Sequence, residues 1–135
     1  MFEVTAKFEF SDQQISDLLC TAFEGGSNYW YIIEEKIPPK ATFDEMSGQM
    51  VKSPDCVFVQ DYPIDGGALV ISEMSGYKHG GKTKWTLDRA ALEKGLQVMA
   101  DKFPSTFHDL VNENADADTG DCFLQCCLFG DLIFS

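Results

Sequence analysis

The segment from Thr86 to Phe103 constrains the fold most, because it combines helical periodicity with a stop signal. Thr86 suits the N-cap position, and Pro104 prevents the helix from continuing. Apolar residues recur at steps of three and four, as one buried helix face requires: Leu92, Leu96, Met99 and Phe103. We predict a helix over 86–103, about 27 Å long at roughly 1.5 Å per residue, against which the other elements pack.

The first third of the chain predicts a strand, a helix and a second strand. Residues 2–10 alternate apolar and polar side chains, which is typical of a half-buried strand. Ser11 and Gln14 form a capping-box pattern, which starts a helix over about 12–24. The aromatic and β-branched run at 29–33 then favours a second strand.

The middle of the chain predicts a loop, a hairpin and a second loop. Residues 34–55 contain Pro38-Pro39 and widely spaced apolar residues, so we expect a loop with some turn or short helix. The apolar runs 57–59 and 68–73, separated by Pro63 and two glycines, predict an antiparallel hairpin. The glycine-rich segment 75–83 indicates a mobile basic loop.

The C-terminal part predicts a short helix after Pro104, a turn over 112–121, and a last helix that is buried because it is apolar nearly all round. This helix begins near Cys122 and ends near Gly130. The sequence thus predicts a single α+β domain over residues 1–135. Its antiparallel sheet has about 3–5 strands and packs against the long central helix and two or three further helices.

Charge narrows the choice of partners. The chain has 22 acidic and 10 basic residues among 135, a formal net charge of −12. This charge disfavours direct binding to nucleic acid or an anionic membrane and favours a basic protein partner. No apolar run reaches the length of a membrane span or forms a signal-peptide core. We therefore expect no membrane association and a cytoplasmic location.

The five cysteines and two histidines predict neither a metal site nor a cofactor site. The cysteines are odd in number, form no CxxC pair, and lack histidines at zinc-ligand spacing, so buried reduced thiols are expected. The segment 112–121 partly resembles a calcium loop, but its glycine comes one place late and Gln125 stands where the bidentate Glu belongs. A helix start capped by Asp118 or Thr119 accounts for it better.

Two binding modes remain open at the glycine-rich loop. Residues 75–84 supply backbone amides and lysines that could hold the phosphate of a nucleotide, although the P-loop spacing is absent. No nucleophile lies in a GxSxG context. The motifs therefore favour a binding protein over an enzyme and assign no catalytic residue, with a nucleotide-binding protein or enzyme as the alternative.

Charged residues are unevenly distributed. Residues 101–131 contain seven carboxylates and one lysine, whereas residues 78–94 hold five of the ten basic side chains. We predict two partner-binding groups. The first is an acidic turn made of Glu113, Asp116, Asp118 and Asp121, and the second lies in the glycine-rich loop and consists of Tyr77, Lys78 and His79.

Three stretches carry a resemblance: EGGSNYW at 24–30, WTLDRAALEKGLQVM at 85–99 and DADTGDCFLQCCLFGDLIF at 116–134. With them the chain resembles a family of small, largely uncharacterised accessory proteins of tailed bacteriophages and prophages. The resemblance brings no catalytic motif.

The resemblance implies a protein made in the host bacterial cytoplasm during infection, where small acidic proteins bind host proteins. One form of this function is an anti-defence inhibitor of the anti-CRISPR or anti-restriction type, which occludes a basic nucleic-acid groove or mimics nucleic acid. A virion or assembly component is a further alternative. Phe129 and residues 132–134 would supply a homodimer interface if they were exposed.

Overall fold

The computed structural model describes residues 1–52 and 55–134 and has the predicted α+β class. Part of the predicted loop 34–55, Ser53 and Pro54, lies outside the described residues, as does Ser135 at the end of the predicted domain. In chain order the elements are α1 (Asp12–Thr21), a π-helical turn (Ala22–Gly26), β1 (Tyr31–Ile37), β2 (Thr42–Asp44), β3 (Gln49–Val51), α2 (Asp61–Ile64), β4 (Ala68–Glu73), β5 (Lys84–Leu87), α3 (Arg89–Lys102), α4 (Pro104–Val111) and α5 (Ala117–Phe129).

Three of the strands form one antiparallel sheet in the order β1-β4-β5. Tyr31 lies opposite Glu73 in the first pair, and Leu69 lies opposite Leu87 in the second. Strands β2 and β3 form a separate hairpin within the segment predicted to be a loop. The sheet is therefore antiparallel as predicted, and β4 lies at its centre.

The long helix starts three residues later than predicted. Thr86 lies in β5, where Trp85 and Leu87 are buried and their neighbours are exposed, the alternation of a strand with one covered face. Helix α3 is instead capped by Asp88, whose carboxylate accepts a hydrogen bond from the N–H of Ala91 at 2.8 Å. Its predicted C-terminal end before Pro104 is confirmed.

The predicted strand over residues 2–10 is wrong. Residues 1–10 form no strand in the structure. Only the end of the segment is anchored, by the rings of Phe8 and Phe10 against the ring of Phe107 in α4. Alternation sets which side chains share a face, but a ladder also needs a neighbouring strand with free backbone groups.

The hairpin predicted from residues 57–59 and 68–73 is half wrong. Strand β4 forms, but it pairs with β1 and β5. Val57 and Phe58 donate their N–H groups to the carboxylate of Asp61, at 3.0 and 2.8 Å. These bonds direct the backbone into the short helix α2 instead of a ladder.

Helix α5 occupies the interior, as its apolar sequence predicts. It contacts α1, the π-helical turn, α3 and α4, and residues 119–127 are all buried. It approaches α3 so closely that a β-carbon at Gly95 would overlap Cys127. Its start at Ala117 corrects the predicted turn over 112–121, the second half of which is helical.

No helix in the described ranges is both long enough and apolar enough to cross a lipid bilayer.

Candidate functional site

Helices that carry acidic side chains but no Lys or Arg pack together in the fold. Residues 8–35 and 103–135 contain no Lys or Arg. In the fold, α1 and the π-helical turn from the first segment pack against α5 from the second. Two acidic stretches that are far apart in sequence therefore combine their charge on one side.

The two segments enclose a cleft of about 280 Å³ between α1 and the connection from α4 to α5. Asp17 and Glu113 line it with exposed carboxylates, while Leu18 and Leu110 are its buried apolar residues. Neither carboxylate forms an ion pair with a residue that the structure describes. Their charge is thus left for solvent or for a partner.

Backbone hydrogen bonds fix the position of Glu113. Its N–H group donates to the carbonyl of Leu110 at 3.1 Å, and the N–H of Asn114 donates to the carbonyl of Asp109 at 2.8 Å. Glu113 has a φ of 60°, which is uncommon for a residue with a β-carbon. The turn after α4 thus holds this carboxylate at the edge of the cleft.

Asp116 and Asp118 are both exposed, but they differ in role. Asp116, and not the predicted Asp118 or Thr119, is the N-cap of α5. Its carboxylate accepts from the N–H of Thr119 at 3.0 Å, and its own N–H donates to the Thr119 hydroxyl at 3.2 Å. The hydrogen bonds that the carboxylate accepts from the N–H and the hydroxyl of Thr119 lower the pKa of Asp116. Asp118 lies in the first turn and faces solvent.

Asp121 does not belong to the exposed turn in which the sequence places it, since it is only 8% exposed. One carboxylate oxygen accepts from the hydroxyl of Ser27 at 2.7 Å and from Nε1 of Trp30 at 2.8 Å. The other accepts from the Tyr29 hydroxyl at 2.5 Å. Helical rotation turns Asp121 inward, where three donors compensate its charge.

The surroundings of Asp121 keep the Tyr29 hydroxyl protonated. Burial raises the pKa of Tyr29, and the hydrogen bond to Asp121 raises it further. The phenol, although 49% exposed, is therefore neutral and donates to a carboxylate that already has two other donors. This network stabilises the fold and offers neither a free base nor a phenolate nucleophile.

Gln125, one turn further along α5, holds the C-terminal segment. Its side-chain oxygen accepts from the N–H groups of Ile133 and Phe134 at 2.8 and 2.7 Å. Its amide donates a hydrogen bond to the carbonyl of Phe134 at 2.9 Å. The ring of Phe134 stacks on that of Trp30, with the ring centroids 5.4 Å apart. We call the contacts of residues 27–30 with Asp121, Gln125 and Phe134 the C-terminal junction.

The C-terminal junction was missed at the sequence level. Its signal is the presence of Asp121 and Gln125 in an otherwise apolar helix, because a polar side chain in a buried helix needs partners. The junction also covers residues considered for a homodimer interface. Phe129 is buried and residues 133 and 134 are partly buried, whereas Leu132 is exposed.

The glycine-rich loop forms a hydrogen-bonded hairpin. Glu73 accepts bonds from the N–H and hydroxyl of Ser75, at 2.8 and 2.6 Å, and from the N–H of Tyr77 at 2.9 Å. His79 and Lys82 exchange two backbone bonds of 3.0 Å around two glycines with positive φ. These contacts occupy several of the amides that a phosphate cradle would need.

The structure separates the two predicted partner-binding groups. Tyr77 packs against Phe134, and His79 packs against Phe129, both near the C-terminal end of α5. The exposed carboxylates lie at the N-terminal end, about 20 Å away for thirteen residues at roughly 1.5 Å each. Lys78 is exposed on the hairpin. A contact with one partner would have to span the helix.

The cysteine side chains are thiols without disulfide bonds. The neighbouring thiol of Cys122 and burial raise the pKa of Cys126, and burial raises that of Cys127. Within residues 1–52 and 55–134, no three His, Cys, Asp or Glu side chains converge to hold a metal ion.

No protein-family model, curated protein or solved structure matches the chain.

Proposed function

We propose that the protein is a non-enzymatic bacteriophage accessory protein that binds a basic surface of a host protein in the bacterial cytoplasm. The binding surface is the acidic face, which we define by exposed carboxylates on α1, the π-helical turn, the connection from α4 to α5 and the start of α5: Asp17, Glu24, Glu113, Asp116 and Asp118. The observation that carries the proposal is that two lysine- and arginine-free segments fold together.

The acidic face suits a target whose natural ligand is nucleic acid. Duplex DNA presents one negative charge per roughly 1.7 Å of axis, and proteins bind it with grooves rich in Lys and Arg. Carboxylates without ion-pair partners can occupy such a groove by charge and by bulk. A defence nuclease with a basic groove is the class of target that this mechanism favours.

Binding through exposed charges has a salt signature. Exposed charges are screened beyond about 8 Å at physiological ionic strength. We expect the complex to form fastest at low salt and to weaken steeply as salt increases. A complex built on apolar burial would lack this dependence.

The experiment is a pull-down from host lysate with three tagged baits, at low and at high salt. One bait is the wild type, and a second carries D17K and E113K, which reverse both carboxylates of the cleft. The third carries E35K and E45K, the same change in charge at exposed positions on β1 and the β2–β3 turn. A host protein retained by the first and third baits but not by the second supports the proposal.

These substitutions avoid two neighbouring carboxylates that have structural roles. Asp116 caps α5 and Asp121 is buried, so reversing either would lower stability and confuse the result. Equal melting temperatures of the three baits verify that only surface charge has changed. Equal capture by all three would contradict the assignment of the acidic face.

Competition with DNA tests whether the bound protein covers the nucleic-acid groove of its target. Duplex DNA added to the captured complex should release a target whose nucleic-acid groove is covered, whereas a target bound elsewhere should stay bound. The nucleotide-binding alternative has less support, since the hairpin uses its own amides. A nucleotide panel in a thermal-shift assay tests it, because a ligand at a hundred times its Kd stabilises by about 2.7 kcal/mol.

A further inference from the structure

The N-terminal segment, residues 1–10, leaves large apolar side chains uncovered. Met1, Phe2 and Val4 are 109%, 101% and 93% exposed. In the described part of the chain, no N–H or C=O group of this segment bonds to another backbone group. A segment with apolar alternation and unused backbone groups is a template for strand pairing.

An open cleft of about 840 Å³ separates this segment from α3 and α4. Val4, Ala6 and Phe8 line one side, and Leu96 and Ala100 line the other. Thr5 and Lys7 also line the cleft, so its lining includes both polar and apolar members of the segment. Among the described residues, the ring contacts of the segment are those of Phe8 and Phe10 with Phe107. The cleft has room for further apolar side chains next to Phe8.

We propose that the N-terminal segment pairs with the same segment of a second copy of the chain, as an antiparallel two-stranded ribbon centred on Thr5. In this register Glu3 lies opposite Lys7 of the second copy, and Lys7 lies opposite its Glu3. The ribbon therefore forms two cross-strand ion pairs in exchange for the exposed Lys7–Glu9 pair within each chain, whose Nζ–Oε1 distance is 3.1 Å. Thr5 faces its own counterpart on the two-fold axis.

Charge selects this register from its neighbours. Opposite residues must both be even-numbered or both be odd-numbered. Shifting one strand by a single residue would place apolar side chains opposite polar ones. Centring the ribbon on Ala6 would place Glu3 opposite Glu9, and centring it on Lys7 would place Lys7 opposite itself. Centring it on Val4 would form no ion pair. Like charges directly opposite each other are destabilising.

The same register accounts for the exposed apolar residues. Phe2 and Val4 of the second copy lie opposite Phe8 and Ala6, on the same face of the ribbon, since opposite residues share a face. In the proposed dimer this face covers the cleft beside α3, whose lining includes Leu96 and Ala100. A two-stranded ribbon alone is marginally stable, so covering this apolar face supplies the driving force, and we expect a dimer that dissociates on dilution.

Disulfide trapping measures directly which residues of the two copies lie opposite each other. We would introduce one cysteine at a time, as T5C, A6C and K7C, into the full-length chain and follow cross-linking under mild oxidation on non-reducing gels. Opposite residues in an antiparallel pair have Cα atoms about 4.5–5.5 Å apart, which a disulfide spans. The wild type, with its own partly buried Cys20 and Cys56, gives the background.

We expect T5C to cross-link at least tenfold faster than A6C or K7C. Faster cross-linking of A6C or K7C would overturn the register, and no cross-linking above background would overturn the pairing. All three positions are exposed, so the substitutions leave the fold intact.

The second experiment reverses the charges of Glu3 and Lys7, first singly and then together, and measures dimer formation. Sedimentation velocity should show that E3K and K7E each weaken the dimer at least threefold and that the double variant E3K/K7E recovers wild-type association. A monomer at every concentration, or an E3K variant that associates more tightly than wild type, would overturn the proposal.

Discussion

The C-terminal junction and the N-terminal segment differ in whether their side chains find partners inside the protein. At the junction, a carboxylate and an amide lie inside the protein, and each has a full set of hydrogen bonds. In the N-terminal segment, Phe2 and Val4 lie in solvent. The difference shows that polarity alone does not decide what is buried: partners from distant parts of the chain decide it.

The physical reason lies in what each region finds to contact. Asp121 meets three donors from residues 27–30, and a buried charge with several donors is tolerated. Among the residues that the structure describes, the ring that the N-terminal segment contacts is that of Phe107. If contacts determine stability, substitutions in the two regions should change the free energy of unfolding by very different amounts.

The largest effect is expected from D121A. It removes the acceptor of three hydrogen bonds and leaves the Trp30 N–H and the Ser27 hydroxyl buried without a partner. We expect a loss of about 3–5 kcal/mol in the free energy of unfolding, measured by urea denaturation. D118A, which alters an exposed carboxylate in the same helix, should cost less than about 1 kcal/mol. Equal losses would remove the distinction between buried and exposed carboxylates.

A smaller loss in the free energy of unfolding is expected where the backbone of the π-helical turn contacts the start of α5. A β-carbon at Gly26 would overlap the carbonyl oxygen of Ala117, whereas one at Gly25 would meet nothing within 4 Å. We expect G26A to lose about 1–3 kcal/mol by overpacking and G25A to change stability by less than about 0.5 kcal/mol. Thermal unfolding of this adjacent pair measures the cost, and a neutral G26A would mean that the π-helical turn can shift.

A third effect depends on pH. The Ser75 hydroxyl and the N–H groups of Tyr77 and Ser75 lower the pKa of Glu73 below its usual 4.5. Its stabilising contribution is complete above the unfolded-state pKa and is lost as pH falls through the lower folded-state value. Melting temperatures below pH 5 should therefore fall more steeply for the wild type than for E73Q. Parallel curves would show that the hairpin does not depend on this charge.

The smallest effect is expected in the N-terminal segment. F2S and V4S should each change the unfolding free energy of the monomer by less than about 0.5 kcal/mol, because neither side chain is buried. F107A, which removes the ring that anchors the segment, should cost about 3–5 kcal/mol. A large loss in F2S at low protein concentration would place Phe2 in the core and end the contrast.

The sequence predicts the elements whose signals are local. The capping box at Ser11, the stop at Pro104 and the αL cap at Gly130 each lie within a few residues of the boundary they set. Strand β5 was missed because Trp85 and Leu87 also fit a helix start, and the choice depends on pairing with β4. The α+β class therefore follows from the sequence, but the identity of several strands does not.

The candidate site was predictable only in part, for the same reason. Glu113, Asp116 and Asp118 are exposed as their sequence indicates. The inward position of Asp121 requires Ser27 and Trp30, which lie more than ninety residues away in the chain. The contribution of Asp17 to the cleft likewise depends on how α1 packs. No local pattern contains either contact.

The bond between Ser27 and Asp121 spans 94 residues, and this separation sets an order of events on the ribosome. At about 5–20 residues per second, α1 and Trp30 leave the exit tunnel several seconds before α5 is made. During that interval the apolar face of α1 has no α5 to cover it and is open to chaperones. The protein therefore completes its interior only after translation has delivered α5.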